Sequence, residues 1–155
     1  MNDFKRMHFD FFHAQVKAQT QEKIFDILAD DAAPLCRVET QILRDAFAHR
    51  LSERTFGMGD GVSIFDVKSE HVKRPILAMM NFEHEIDFNA LDSKPVRIMA
   101  AVISPQSDGP LHLQRLASVA RLLRCDDLCQ ALKDARDVDE MRVLFMPSQD
   151  WMVAA

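Results

Sequence analysis

Between Pro95 and Pro105 lies Val96 to Ile103, a stretch that is apolar almost throughout and broken only by Arg97. Such a strand has no face to offer water, so it is predicted to be a central strand covered on both sides. The rest of the chain supplies that cover. Ile24, Ile27 and Leu28 fall at helical spacing within residues 20–30, and Val38, Ile42, Leu43, Ala46 and Phe47 make a second stripe within 38–50. Strand-like runs follow at Val62–Phe65, Pro75–Phe82 and, briefly, Glu85–Phe88. Gly109-Pro110 then reads as a helix start, with Leu113, Leu116, Ala117, Ala120 and Leu123 on one face. Shorter helices are expected over Leu128–Ala135 and, behind an acidic capping signal Asp137-Val-Asp-Glu140, around Met141, Leu144 and Phe145. Helices, then strands, then helices predict an α/β domain with a mixed sheet between helical layers.

A length of 155 residues suits one compact domain over 1–155, and such a domain buries about 68–70% of its unfolded surface without disulfides or structural metal. The net charge of −5 argues against a nucleic-acid partner, which would need clustered positive charge. Three cysteines cannot form a complete disulfide framework, and Cys125 and Cys129 have no second pair at zinc-site spacing. Reduced structural thiols in the cytoplasm are expected. The amino-terminal stretch lacks the apolar core of a signal peptide, and no run reaches the ~20 residues of a membrane span, so no membrane insertion is expected.

All four glycines fall in two stretches, Gly57-Met-Gly59-Asp-Gly61 and Pro105-Gln-Ser-Asp-Gly109-Pro110. These are the places where a ligand could approach main chain, and a metabolite-binding module built on the glycine loop is one function class they allow. Of six histidines, His8 and His13 read as edge-strand or surface residues, and His49 as a helix C-terminal cation. His84, between Glu83 and Glu85, lacks the spaced companions of a metal site, so no metal or other cofactor is predicted. His71 lies in a charged connection. Only His112 stands beside a permissive loop and in the first turn of a helix, where an anion is favoured.

Three segments carry a family resemblance. Arg50-Leu-Ser-Glu-Arg-Thr55-Phe-Gly57-Met-Gly59-Asp-Gly61-Val-Ser-Ile64-Phe65-Asp66 resembles the signature of the mannitol/fructose/nitrogen-regulatory (type-2) IIA domains of the bacterial phosphotransferase system. That signature runs Arg-Glu-x-Leu-x-Ser-Thr-Gly-x-Gly-x-Gly-x-Ala-x-Pro-His, and its final His accepts a phosphoryl group from the histidine-containing phosphocarrier protein. Asp87-Phe-Asn-Ala-Leu-Asp92-Ser-Lys-Pro95-Val96 resembles the family's Phe-x-Ala-x-Asp-x-x-Pro-Val segment, and Leu111-His112-Leu-Gln-Arg-Leu116-Ala117 its second-histidine segment. The match spans about 20–146 in unbroken order and leaves 147–155, with Trp151, as a tail. It implies an about five-stranded mixed sheet with helices on both faces, and it is nearest to the nitrogen-regulatory branch.

By this resemblance Arg50 matches the phosphate-side arginine and His112 the second histidine, while Asp66 stands where the family keeps its phospho-accepting His. A carboxylate is a poorer nucleophile than a neutral imidazole, and aspartyl phosphorylation usually leans on a magnesium cage that Asp60 and Asp66 alone do not form. Normal phosphate relay is therefore not expected, and the chain is read as a regulatory protein acting through protein contacts. Asp66 could be a fixed charge imitating part of the phosphorylated state, or a site decayed into a structural ion pair. The alternative class is an active phosphocarrier modified on Asp66 or on another histidine, His71 being nearest in sequence. Expected partners are the phosphocarrier protein, a regulated transporter or potassium-system protein, or a sensor kinase.

Overall fold

The computed structural model describes residues 7–53, 57–87 and 95–146. Residues 54–56 of the Arg50–Asp66 segment, the expected strand end at Phe88, the rest of 88–94 and the tail 147–155 with Trp151 lie outside the described residues. Four strands of six to eleven residues make the body of one mixed sheet, in the order β1 (Phe11–Val16), β4 (Ile76–Ile86), β5 (Val96–Pro105), β3 (Val62–Ser69). The three-residue β2 (Gly57–Gly59) pairs antiparallel with the start of β3. β1 runs parallel to β4 and β3 parallel to β5, while β4 and β5 are antiparallel. The apolar run lies on β5, flanked by β4 and β3, and every residue from Ile98 to Ser104 is buried.

Each face of the sheet closes its own core. Phe65, Val67, Met80, Met99 and Ala101 pack with α1 (Gln21–Cys36) and α2 (Thr40–Leu51). Val62, Met79, Ile98, Ala100 and Val102 pack under α3 (Pro110–Leu122), α4 (Asp126–Asp134) and α5 (Val138–Val143). Alternation along β3 and β5 sends neighbouring residues to opposite cores, as the period of two requires. The first core centres on three aromatic rings, Phe25, Phe47 and Phe65, with centroids 4.6 to 6.2 Å apart.

The order expected from the pattern needs one correction: a strand, β1, precedes the first helix. Its alternation is hidden by a bulge, where Gln15 takes a left-handed φ of 53°. The buried Asn81 holds this bulge, accepting from the Gln15 backbone N–H and donating to the carbonyls of Leu132 and Ala135 at the end of α4. The expected short strand at Glu85 is the continuation of β4. At α5 the capping signal is realised, with Asp137 accepting from the Glu140 N–H, but Glu140 reaches back to the Arg136 N–H instead of closing the reciprocal bond.

The two glycine stretches do opposite jobs at opposite ends of the sheet. Asp60 and Gly61, both with positive φ, turn β2 into β3, and Lys133 Nζ donates to the Asp60 carbonyl at 2.8 Å. Gly109, with φ 51° and ψ −117°, turns the short 3₁₀ segment Gln106–Asp108 into α3 at the far end, beyond the C-terminus of β5. The two stretches therefore do not meet, because β3 and β5 are parallel and the loops flank different ends.

Cys36, Cys125 and Cys129 are free thiols. Burial pushes the Cys36 and Cys129 thiols up from their ordinary value of 9.0. A raised folded-state value means that these thiols favour folding below the unfolded value and lose that contribution as pH climbs through the folded one. The urea midpoint should fall as the pH rises beyond the ordinary thiol value of 9.0, and a Cys36→Ala/Cys129→Ala variant should show a shallower decline.

Candidate functional site

Asp66 sits five residues into β3, with backbone register opposite Val102 of β5. Only 4% of the residue is exposed. An ionised carboxylate buried to that degree needs charged or strongly polarised partners. Two arrive, one from each helical layer.

Arg50 lies in the last turn of α2, where a cation meets the negative end of the helix dipole. Its Nη2 donates to both Asp66 oxygens, at 3.2 and 3.0 Å, and its Nε donates to the Asp66 main-chain carbonyl at 2.9 Å. Its Nη1 donates to Glu53 Oε2 at 2.8 Å. Every nitrogen of the guanidinium is thus engaged. Partial burial, the largest single influence, works against the Arg50 charge, but the hydrogen bonds and charges of Glu53 and Asp66 together outweigh it and hold the guanidinium above its ordinary value.

His112 approaches from the other side. It is the third residue of α3, placed there by the turn at Gly109, and only 3% of it is exposed. Its Nε2 lies 3.0 Å from Asp66 Oδ2, and its Nδ1 lies 2.7 Å from Ser104 Oγ. The anion expected at this helix start is therefore internal: it is the Asp66 carboxylate. The site lies toward the C-terminal ends of two parallel strands, where open α/β sheets commonly leave their crevices.

An open cavity of about 530 Å³ lies over the cluster, lined by Asp66, Arg50, His112, His49, Lys68 and Gln106, with Leu113 at its edge. Leu113 is 66% exposed. His49 pairs with Glu53 at 3.2 Å. His71 lines no part of this cavity: it turns beyond β3, with its imidazole against Glu70. His84 is paired with Glu83, and His13 is bonded to Asp31 of α1. Among the described residues, no three His, Cys, Asp or Glu side chains are grouped to hold a metal, and no helix is long and apolar enough to cross a membrane.

Sequence reasoning singled out Asp66, Arg50 and His112, and the fold brings all three together. It missed Glu53, Lys68, Gln106 and Ser104. The signal for Ser104 was present, a hydroxyl closing an apolar run immediately before Pro105.

Residues 7–146 match the family model described as "Phosphoenolpyruvate-dependent sugar phosphotransferase system, EIIA 2". The chain is 32% identical over 117 residues to the fructose-specific EIIA component of the phosphotransferase system of Haloferax volcanii, covering 75% of this chain and 76% of that protein. It is 28% identical over 129 residues to the nitrogen regulatory protein of Klebsiella oxytoca, covering 83% and 80%. Its fold superposes on the crystal structure of the nitrogen regulatory protein IIA-Ntr of Neisseria meningitidis with a TM-score of 0.81 at 18% identity, covering 88% of this chain and 93% of that one.

The interplay of Arg50 and Asp66 is measurable as a coupling. In a double-mutant cycle with Arg50→Met and Asp66→Asn, urea unfolding should give a coupling energy of about 1.5–3 kcal/mol, the range for hydrogen bonds to charged groups. A value indistinguishable from zero would mean that the two side chains do not grip each other in solution.

Proposed function

The chain belongs to the EIIA type-2 family of the phosphoenolpyruvate-dependent sugar phosphotransferase system, and from that premise we propose that it is a nitrogen-regulatory IIA protein that signals through protein contacts without relaying phosphate. On this reading Asp66 replaces the phospho-accepting His and acts as a permanent negative charge between Arg50 and His112.

The observation that carries the reading is the state of the Asp66 carboxylate. Its Oδ2 accepts from Arg50 and lies 3.0 Å from His112 Nε2, and its Oδ1 accepts from Arg50. A nucleophile needs a lone pair aimed at the incoming phosphorus, and three of the four lone-pair positions of this carboxylate face Arg50 and His112. The guanidinium that would stabilise a transferred phosphoryl group is spent on the same carboxylate and on Glu53. The arginine of the site is matched before any phosphate arrives. The substitute is incomplete, since a carboxylate carries about −1 where a phosphoryl group carries up to −2, and it reaches less far from the strand.

A partner would meet this charge through the open cavity, whose rim offers Lys68, His49 and the exposed Leu113. We expect that partner to be a protein, either the phosphocarrier protein or a regulated transporter or kinase, and we place the encounter in the cytoplasm, which suits three free thiols. The rival phosphocarrier on His71 finds little support, since that imidazole is not among the residues lining the cavity over Arg50 and Asp66.

Incubation with phosphoenolpyruvate, Enzyme I and the phosphocarrier protein, followed by intact mass, tests the proposal. No gain is expected for the natural chain. Stoichiometric gain of one phosphoryl group overturns it, and the acid and hydroxylamine lability of that group would then tell an acyl phosphate from a phosphohistidine. Asp66→His should restore acceptance if the pocket is otherwise intact; an inert variant would favour a decayed site over a regulatory one.

A further inference from the structure

Behind His112 lies a second polar chain that the reading above does not use. Ser104, fully buried at the end of β5, accepts from Arg115 Nη1 at 3.0 Å and meets His112 Nδ1 at 2.7 Å. Arg115 in turn pairs with Asp108 Oδ2 at 2.6 Å. Asp108 closes the 3₁₀ segment immediately before Gly109, and Arg115 follows on α3, so this ion pair spans the turn that delivers His112 to the site.

We propose that Ser104, braced by Arg115 and Asp108, is a positioning residue that fixes the tautomer of His112, keeping the ring proton on Nε2 and aimed at Asp66. The inference stands on donor and acceptor bookkeeping. A guanidinium has donors only, so Ser104 Oγ must accept from Arg115, which leaves the hydroxyl proton free to point at Nδ1. An ionised carboxylate has acceptors only, so Nε2 must donate across the 3.0 Å to Asp66. The carboxylate favours a protonated Nε2, and the hydroxyl proton aimed at Nδ1 adds to that preference, so both ends of the imidazole favour the same form. When the ring takes a second proton, Ser104 Oγ still has a lone pair to accept from Nδ1, and the bond to Asp66 keeps its direction. Ser104 is 0% and His112 3% exposed, so bulk water cannot easily stand in for the hydroxyl.

The arrangement resembles a Ser–His–Asp row, yet Ser104 is not among the residues lining the cavity over Asp66 and also accepts from Arg115, so its part is to orient. The consequence for the site is directional. With the tautomer fixed, His112 offers residue 66 a donor and never an acceptor, which suits an anion there and disfavours any occupant that must itself donate. This holds whether or not phosphate moves, so it can fail independently of the reading of Asp66.

Histidine ring ¹H–¹⁵N correlation spectra of the labelled chain test it, with His112→Gln assigning the resonance and the pH raised until the shifts stop moving. The expected result is a pyridine-like Nδ1 and a pyrrole-like Nε2. Ser104→Ala should move both nitrogens toward intermediate values as the two tautomers mix, and Ser104→Thr should restore the parent pattern. Where a buried variant loses its far-UV circular dichroism, Arg115→Met replaces it: removing the brace should shift the same two nitrogens in the same direction by less. A predominant Nδ1–H form in the parent overturns the proposal. So does an unchanged His112 signature in a folded Ser104→Ala protein or, where that protein does not fold, in a folded Arg115→Met protein.

Discussion

One buried carboxylate organises the junction of three elements. Asp66 lies on β3, whose neighbours Phe65 and Val67 belong to the core under α1 and α2, while Val62 faces the core under α3, α4 and α5. Arg50 comes from the first layer and His112 from the second, and they meet on the same side chain. An ionised group 4% exposed is costly wherever a partner is missing, so each helix end is held where its side chain can reach. The grip extends to main chain, since Arg50 Nε also donates to the Asp66 carbonyl. The end of α2 is thereby tied to the backbone of β3 as well as to its charge.

That tie has an electrostatic side. Arg50 faces two carboxylates, Asp66 and Glu53, and the neighbouring His49 faces the second of them. The guanidinium charge is neutralised locally, which leaves Lys68 as the exposed cation among the residues lining the cavity. An additional anion would thus enter a cavity whose best cation is already matched. Discrimination at such a site depends on what is left unpaired more than on how many charges line it.

Much of this could be read from the chain before any coordinates. The apolar run on β5, the stripes of α1 and α2, and the Asp137 cap follow from periodicity and local hydrogen bonding, which depend only on near neighbours. The pairing of Arg50, Asp66 and His112 was legible only through a family resemblance, because 16 and 46 positions separate Asp66 from its partners and no spacing rule spans such gaps. β1 was obscured by a left-handed residue at Gln15, whose conformation is stabilised by Asn81, far along the chain. Ser104 was passed over because a hydroxyl at the end of an apolar strand looks like a boundary. Its meaning appears only when Arg115 and His112 close on it from α3. The two glycine stretches read as loops, though Gly57–Gly59 forms β2, and their relation to the site depended on strand direction, which composition does not encode.

A decayed ion pair and a retained signalling charge differ in what surrounds them. Closing a charge pair over strengthens its attraction but adds desolvation cost, so stability alone does not call for an open cavity above it. Here the pair is buried, yet an open cavity of about 530 Å³ remains above it, edged by Lys68, Gln106 and a leucine, Leu113, that is 66% exposed. An exposed leucine next to a charged crevice carries a hydration cost that a protein contact would remove. The combination of a matched charge site with an uncovered, partly apolar rim is what the protein contact proposed above would use.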